Sequence, residues 1–175
     1  MEDVLMSEDA AEINPERISR EVYTSFNQRY TVRAIVKNTR DDIALIHITK
    51  EGRYKLPGGG IESGESPVEA LIRECKEEIG AHISGITFLG HICEIKGHKK
   101  VVQYSHCYSA TASAIGNPIL EPEEESRGFT VEWMSIIAAI DTLEKIEPRN
   151  EEGTYVRKRD LKILNMALDS SVKSV

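Results

Sequence analysis

A run of glycines set just ahead of a sharply delimited helix constrains this chain more than any other feature. Leu56-Pro57-Gly58-Gly59-Gly60 cannot continue a strand or a helix: proline has no amide donor, and successive glycines lose too much backbone entropy. Shortly afterwards Ser66-Pro67-Val68-Glu69 supplies an N-cap, a proline at the first helical position and the glutamate of a capping box. Gly80 closes the helix as a left-handed cap. The spacing predicts a helix from Ser66 to Ile79 with an apolar stripe of Val68, Leu71, Ile72, Cys75 and Ile79.

Strands flank this unit. Tyr30–Val36 alternates as a half-buried strand, Ile43–Ile48 reads as a second, and Asn38–Asp42 suits a hairpin turn between them. Residues 86–95 and 101–112 read as two more strands around the turn Lys96–Lys100. An acidic loop, Glu121–Ser126, leads to a strand at Phe129–Trp133. Ser135 then opens a short helical stretch, and Tyr155–Leu168 forms a last amphipathic helix. Its core-facing stripe is Val156, Ile163, Leu164, Ala167 and Leu168, with Arg157, Lys158 and Arg159 assigned to the solvated side. Strands and helices mix without a regular βαβ alternation, which implies an α+β fold: helices around a mixed sheet. Residues 1–29 are polar and read as an arm or accessory element; 30–168 form the domain, and 169–175 a tail.

Length fits one domain: 175 residues, 40% of them apolar. A net charge of −7 argues against a general nucleic-acid or anionic-membrane binder. The three cysteines form no C-x-x-C pair, so neither a disulfide scaffold nor a structural zinc site is expected. No apolar run is long enough to span a bilayer, and the acidic start lacks the marks of a signal peptide. The expectation is a soluble, cytoplasmic protein.

The predicted helix has a second face. Glu74, Glu77 and Glu78 fall within about 100° of arc, where like charges repel unless solvated or neutralised by cations. Taken alone, such a cluster is more often an ordinary solvated face. The surrounding spacing changes that weighting. Gly59, then Glu65, then Arg73-Glu74-Cys75-Lys76-Glu77-Glu78-Ile79-Gly80-Ala81 resembles the Nudix box, G-x5-E-x7-R-E-U-x-E-E-x-G-U, where U is a bulky aliphatic residue. Every fixed position matches; Cys75 and Ala81 at the U positions are smaller than usual, which bears on packing more than on chemistry.

The resemblance implies a Nudix-type α/β/α sandwich with a mixed β-sheet over residues 30–168. It implies that Glu74, Glu77 and Glu78 ligate Mg²⁺ or Mn²⁺ together with the Gly58 carbonyl, and that Arg73 holds the glutamates in position. Gly59 and Gly80 then serve the backbone, and Glu65 either fixes the loop or holds an outer water. The implied activity is a metal-dependent pyrophosphohydrolase acting on a nucleoside diphosphate linked to another moiety, with a nucleoside triphosphate favoured. Glu124 or Glu125 is the expected general base, against the alternative of a plain acidic loop. Arg33, Arg53 and Lys55 are candidates for substrate phosphates, and Tyr104 for stacking on a base, although core packing is the commoner role of such a tyrosine.

Residues downstream of the box do not select a subgroup. Ile95 stands where ADP-ribose-type members carry proline, and Lys96, Gly97 and His98 occupy the tyrosine positions of dinucleoside-polyphosphate types. The rival reading is a Nudix-fold nucleotide sensor without turnover, although such relatives usually lose box glutamates. The expected partner is a small nucleotide rather than a nucleic acid or a membrane, and a homodimer is compatible with the resemblance.

Overall fold

The computed structural model describes residues 11–172, with side chains through Leu168. Residues 1–10 of the expected arm and 173–175 of the expected tail lie outside the described residues. The chain runs β1 (Ala11–Ile13), α1 (Arg20–Tyr23), β2 (Asn27–Lys37), β3 (Ile43–Ile48), β4 (Arg53–Lys55), α2 (Pro67–Ile79), β5 (Ala81–Lys96) and, after a 3-10 turn at Gly97–Lys99, β6 (Val101–Ile115). It continues through α3 (Pro122–Arg127), β7 (Phe129–Met134), α4 (Ile136–Lys145) and α5 (Glu151–Val172).

One seven-stranded sheet has the order β1-β5-β6-β2-β3-β4, with β7 also paired to β3. The β1–β5 and β2–β6 pairs are parallel and the rest antiparallel. This is the mixed sheet expected of an α+β fold. Part of the segment read as an arm contributes β1 to the sheet edge, with Ala11 opposite Ile92.

Alternation along the central strands builds a core on each face. Val32, Ala34, Val36, Ala44 and Ile46 pack against Ala70, Leu71, Cys75 and Ile79 of α2. Ile35, Ile43, Leu45 and Leu56 pack on the other side against Ala139 and Leu143 of α4 and Ile163 and Leu164 of α5. The result is the α/β/α sandwich.

Helix α2 begins and ends where its caps predict. Ser66 accepts from the Glu69 amide, the Glu69 side chain returns the bond, and Gly80 sits at φ 64°. Its buried face is rotated from the expected stripe: Val68 and Ile72 are 40% and 44% exposed, while Glu74 and Glu78 turn inward beside Ala70, Leu71 and Cys75. The helix packs only part of its inner face on the sheet and gives the rest to the glycine turn.

Two further expectations change. The acidic loop is helix α3, because Glu121 and Glu124 form a capping box around Pro122 at the first helical position and Gly128 caps the end at φ 74°. Arg159 is 1% exposed rather than solvated, since Asp160 beside it and Glu94 on β5, against which its helix packs, supply buried counter-charges.

Candidate active site

The loop from Leu56 to Ile61 runs alongside β2, which explains how its glycines reach the helix. The Ala34 amide donates to the Pro57 carbonyl and the Val32 amide to the Gly59 carbonyl, each at 3.0 Å. Gly58 adopts φ 126°, and a Cβ there would stand 2.2 Å from the Val32 carbonyl oxygen. A Cβ on Gly59 would stand 2.2 Å from Glu74 Oε1. The backbone itself requires glycine at Gly58, while glycine at Gly59 lets the Glu74 carboxylate keep its place against the turn.

The far side of the turn is tied to the last helix. Asp160, fully buried, accepts the Leu56 amide at 2.9 Å and Arg159 Nε at 2.7 Å. Glu78 accepts the Gly58 amide at 2.7 Å. Arg33 donates to the Val32 carbonyl and, at 3.3 Å, to Gly59. Burial, and then the nearby charge of Arg159, pull the Arg33 guanidinium down to about 10. Arg33 is thereby fastened to the turn's backbone, with its Nε unpartnered.

Arg73 organises the open end. Its Nε and one terminal nitrogen grip both Glu65 oxygens at 2.9 and 3.0 Å. The other terminal nitrogen reaches Glu74 at 3.0 Å and Glu77 at 3.1 Å, and a further bond goes to the Gly60 carbonyl at 3.0 Å. These contacts, led by the hydrogen bond to Glu65, raise the arginine's pKa and keep it charged. The Glu65 carboxylate is lowered in turn, chiefly by Arg73, and also accepts the Glu62 amide at 3.0 Å. Glu65 is therefore a fixed part of the loop.

Glu74, Glu77, Glu78 and Glu124 line one cleft of about 320 Å³ with Arg29, Arg33, Lys55, Arg73, Arg127 and the Gly58–Gly60 backbone. Burial, then the charge of Glu78, raises the Glu74 carboxyl. Burial raises Glu124 as well, while its bond to the Glu121 amide opposes the shift. Lys55 donates to a Glu78 oxygen and, at 3.2 Å, to the Gly58 carbonyl, and lies 5.2 Å from the Phe129 ring centre. Among the described residues no three His, Cys, Asp or Glu side chains are gathered around one point as a formed metal centre. The carboxylates are instead shared out between Arg73 and Lys55.

Several candidates fall elsewhere. Arg53 is bound to Glu51 at 2.6 Å, and Tyr104 stacks on Tyr30 with ring centres 5.6 Å apart; neither lines the cleft. Glu125 is exposed and outside it, unlike Glu124 one residue before. Sequence reasoning did not single out Arg29 or Arg127. Arg127 carried a usable signal, lying immediately before the Gly128 cap and the buried Phe129.

An α/β/α sandwich with an acidic cleft between a glycine turn and a capped helix is the arrangement to which the motif of residues 59–81 points. The family model of the NUDIX domain matches residues 27–155. The chain belongs to the Nudix family. A NUDIX hydrolase from Nitrosomonas europaea shares the fold, with a TM-score of 0.63 and 17% identity over 82% of this chain and 90% of its own. The 8-oxo-dGDP phosphatase NUDT18 of Homo sapiens is 42% identical over 66 residues, 36% of this chain and 20% of that protein. An RNA pyrophosphohydrolase of Ruthia magnifica subsp. Calyptogena magnifica is 38% identical over 61 residues, 35% of this chain and 34% of its own. The matched segments thus span 34% or less of these curated relatives. Among the described residues no helix is long and apolar enough to cross a membrane.

Proposed function

We propose that the chain is a hydrolase dependent on Mg²⁺ or Mn²⁺ that cleaves the diphosphate linkage of a nucleoside diphosphate joined to another group, with a nucleoside triphosphate favoured. The convergence of Glu74, Glu77, Glu78 and Glu124 on one cleft with the Gly58–Gly60 backbone carries this reading. The donor set fits a hard divalent cation, being made of carboxylate and carbonyl oxygens. The place also accepts positive charge, since the Lys55 ammonium already rests on Glu78 and the Gly58 carbonyl. Relatives named as acting on 8-oxo-dGDP and RNA support a phosphate-bearing nucleotide as the substrate class.

Glu74, Glu77, Glu78 and the Gly58 carbonyl would hold the metal, which when bound neutralises phosphoryl oxygens and lowers the pKa of a water. Arg73 keeps the carboxylates aimed and spaced, so little reorganisation remains for the reaction itself. Arg29 and Arg127 supply positive charge at the cleft for the substrate's phosphates. Glu124, made more basic by burial, takes the proton of the attacking water. The water oxygen forms the new bond to phosphorus, the bridging P–O bond breaks, and two phosphorylated products leave.

The test is phosphate and pyrophosphate release from triphosphates, oxidised triphosphates, nucleotide sugars, ADP-ribose, dinucleoside polyphosphates and NADH, with metal or with chelator. A coupled phosphatase reveals phosphomonoester products. Metal-dependent cleavage of the triphosphates is expected. Nucleotide binding without turnover by a folded protein would move the assignment to a sensor, and turnover persisting in excess chelator would remove the metal.

A further inference from the structure

The cleft contains a cation of its own. Lys55 ends strand β4 and its ammonium is inside the protein, with only 13% of the side chain exposed. It rests on two oxygen donors that the proposed function gives to the metal, Glu78 and the Gly58 carbonyl. Glu78 is 2% exposed and its other oxygen accepts the Gly58 amide, so it has no solvent to which it can turn its charge. Glu74 and Glu124 add further negative charge to the same cleft.

We propose that Lys55 is a resident counter-ion that competes with the divalent cation for Glu78 and the Gly58 carbonyl. This rests on the metal site proposed above and adds an exchange to it: metal entry displaces the ammonium. Two positive charges cannot share one carboxylate oxygen and one carbonyl without strong repulsion at such range. In the metal-free protein Lys55 prevents Glu78 from standing as an uncompensated buried charge, which would destabilise the turn. Once displaced, the ammonium remains within the cleft on its flexible stem beside the Phe129 face, where it meets the substrate's phosphates. Neutralisation of Glu78 then passes from a side chain to the metal without an intermediate in which that buried carboxylate stands unopposed.

The experiment measures Mn²⁺ binding to the full chain by calorimetry without nucleotide, alongside metal-free thermal unfolding. K55M removes the ammonium at similar volume. K55Q removes the charge but keeps a donor for Glu78, and serves if K55M does not fold. R127M is the control: Arg127 lines the same cleft but pairs with Glu51 and Glu123, not with Glu78. Competition predicts Mn²⁺ binding on the order of tenfold tighter in K55M or K55Q, with a lower metal-free Tm and a larger metal-induced rise. R127M should leave Mn²⁺ affinity within about twofold of wild type. Equal Mn²⁺ affinity in wild type and the Lys55 variants overturns the competition alone, as does equal tightening in R127M. No Mn²⁺ binding by any of the folded proteins overturns the metal site, and this inference with it.

Discussion

Replacing Asp160 by alanine tests the link between the last helix and the glycine turn. Asp160 and Arg159 are 0% and 1% exposed, and their carboxylate–guanidinium contact is 2.7 Å. Without the carboxylate, Arg159 retains Glu94 at 3.7 Å, and one terminal nitrogen already lacks a partner. Breaking one side of a buried pair costs about 3–5 kcal/mol. The Leu56 amide also loses its acceptor, a penalty of about 1–3 kcal/mol when no water replaces it. These terms share one carboxylate and do not add fully, so a loss of about 4 kcal/mol is expected. For a chain of this size that is a fall in Tm of ~8–16 °C. Asp160→Asn keeps an acceptor for the amide and should lose roughly half as much. Urea unfolding followed by circular dichroism gives both values, and hydrogen exchange at Leu56 reports the turn directly. A loss under about 1 kcal/mol in Asp160→Ala, with Leu56 exchange unchanged, would refute the reasoning.

Three other outcomes are expected. Glu77→Gln should lower turnover at least about tenfold while leaving the Tm near wild type, because this side chain is 37% exposed and held mainly by Arg73; steady-state kinetics across metal concentrations decide it. Burial alone would raise Glu152, but the charges of Lys96 and Lys99 outweigh it and hold the carboxyl at about 2, below its ordinary 4.5. Its stabilisation is therefore complete above pH 4.5 and disappears as pH falls through about 2, so Glu152→Gln should remove on the order of 2–3 kcal/mol of acid-sensitive stability from urea titrations over that window. Burial pushes the Cys107 thiol up to about 12 and raises Cys75 as well, so at neutral pH a thiol reagent should react slowly with these two until unfolding; rapid labelling of either in the native protein would contradict their burial.

Much of the cleft could be read along the chain because its parts are local. Ser66, Pro67, Glu69 and Gly80 each meet the neighbours that define a cap within a turn of their own position, so helix α2 appears where expected. Arg73 reaches Glu77 across one helical turn and Glu74 beside it, and its grip on Glu65 crosses a short loop. Helix α3 was equally local, and its Glu-Pro-Glu-Glu start is a cap whose acidity disguised it as a loop. Arg53 and Tyr104 fit their expected roles by chemical type alone, and their neighbours decide otherwise: Glu51 in the turn before β4 pairs with one, and Tyr30 on the adjacent strand stacks on the other.

By itself the sequence determined the glycine turn, the capped helix behind it and the carboxylates that the helix carries. Those features depend on backbone torsions and hydrogen bonds between near neighbours, which residue identity sets directly. Tertiary structure alone decided which side of the helix is buried, that Glu124 rather than Glu125 faces the cleft, and that Arg29 and Arg127 join it. It also decided that Arg159 lies in the interior, where helical periodicity places a charged surface. Its counter-charge Glu94 comes from a strand far away in the chain, and the Leu56 amide that Asp160 accepts comes from a turn more distant still. A buried charge is stable only with its partner, and partners separated by that much chain meet only once the sheet has formed.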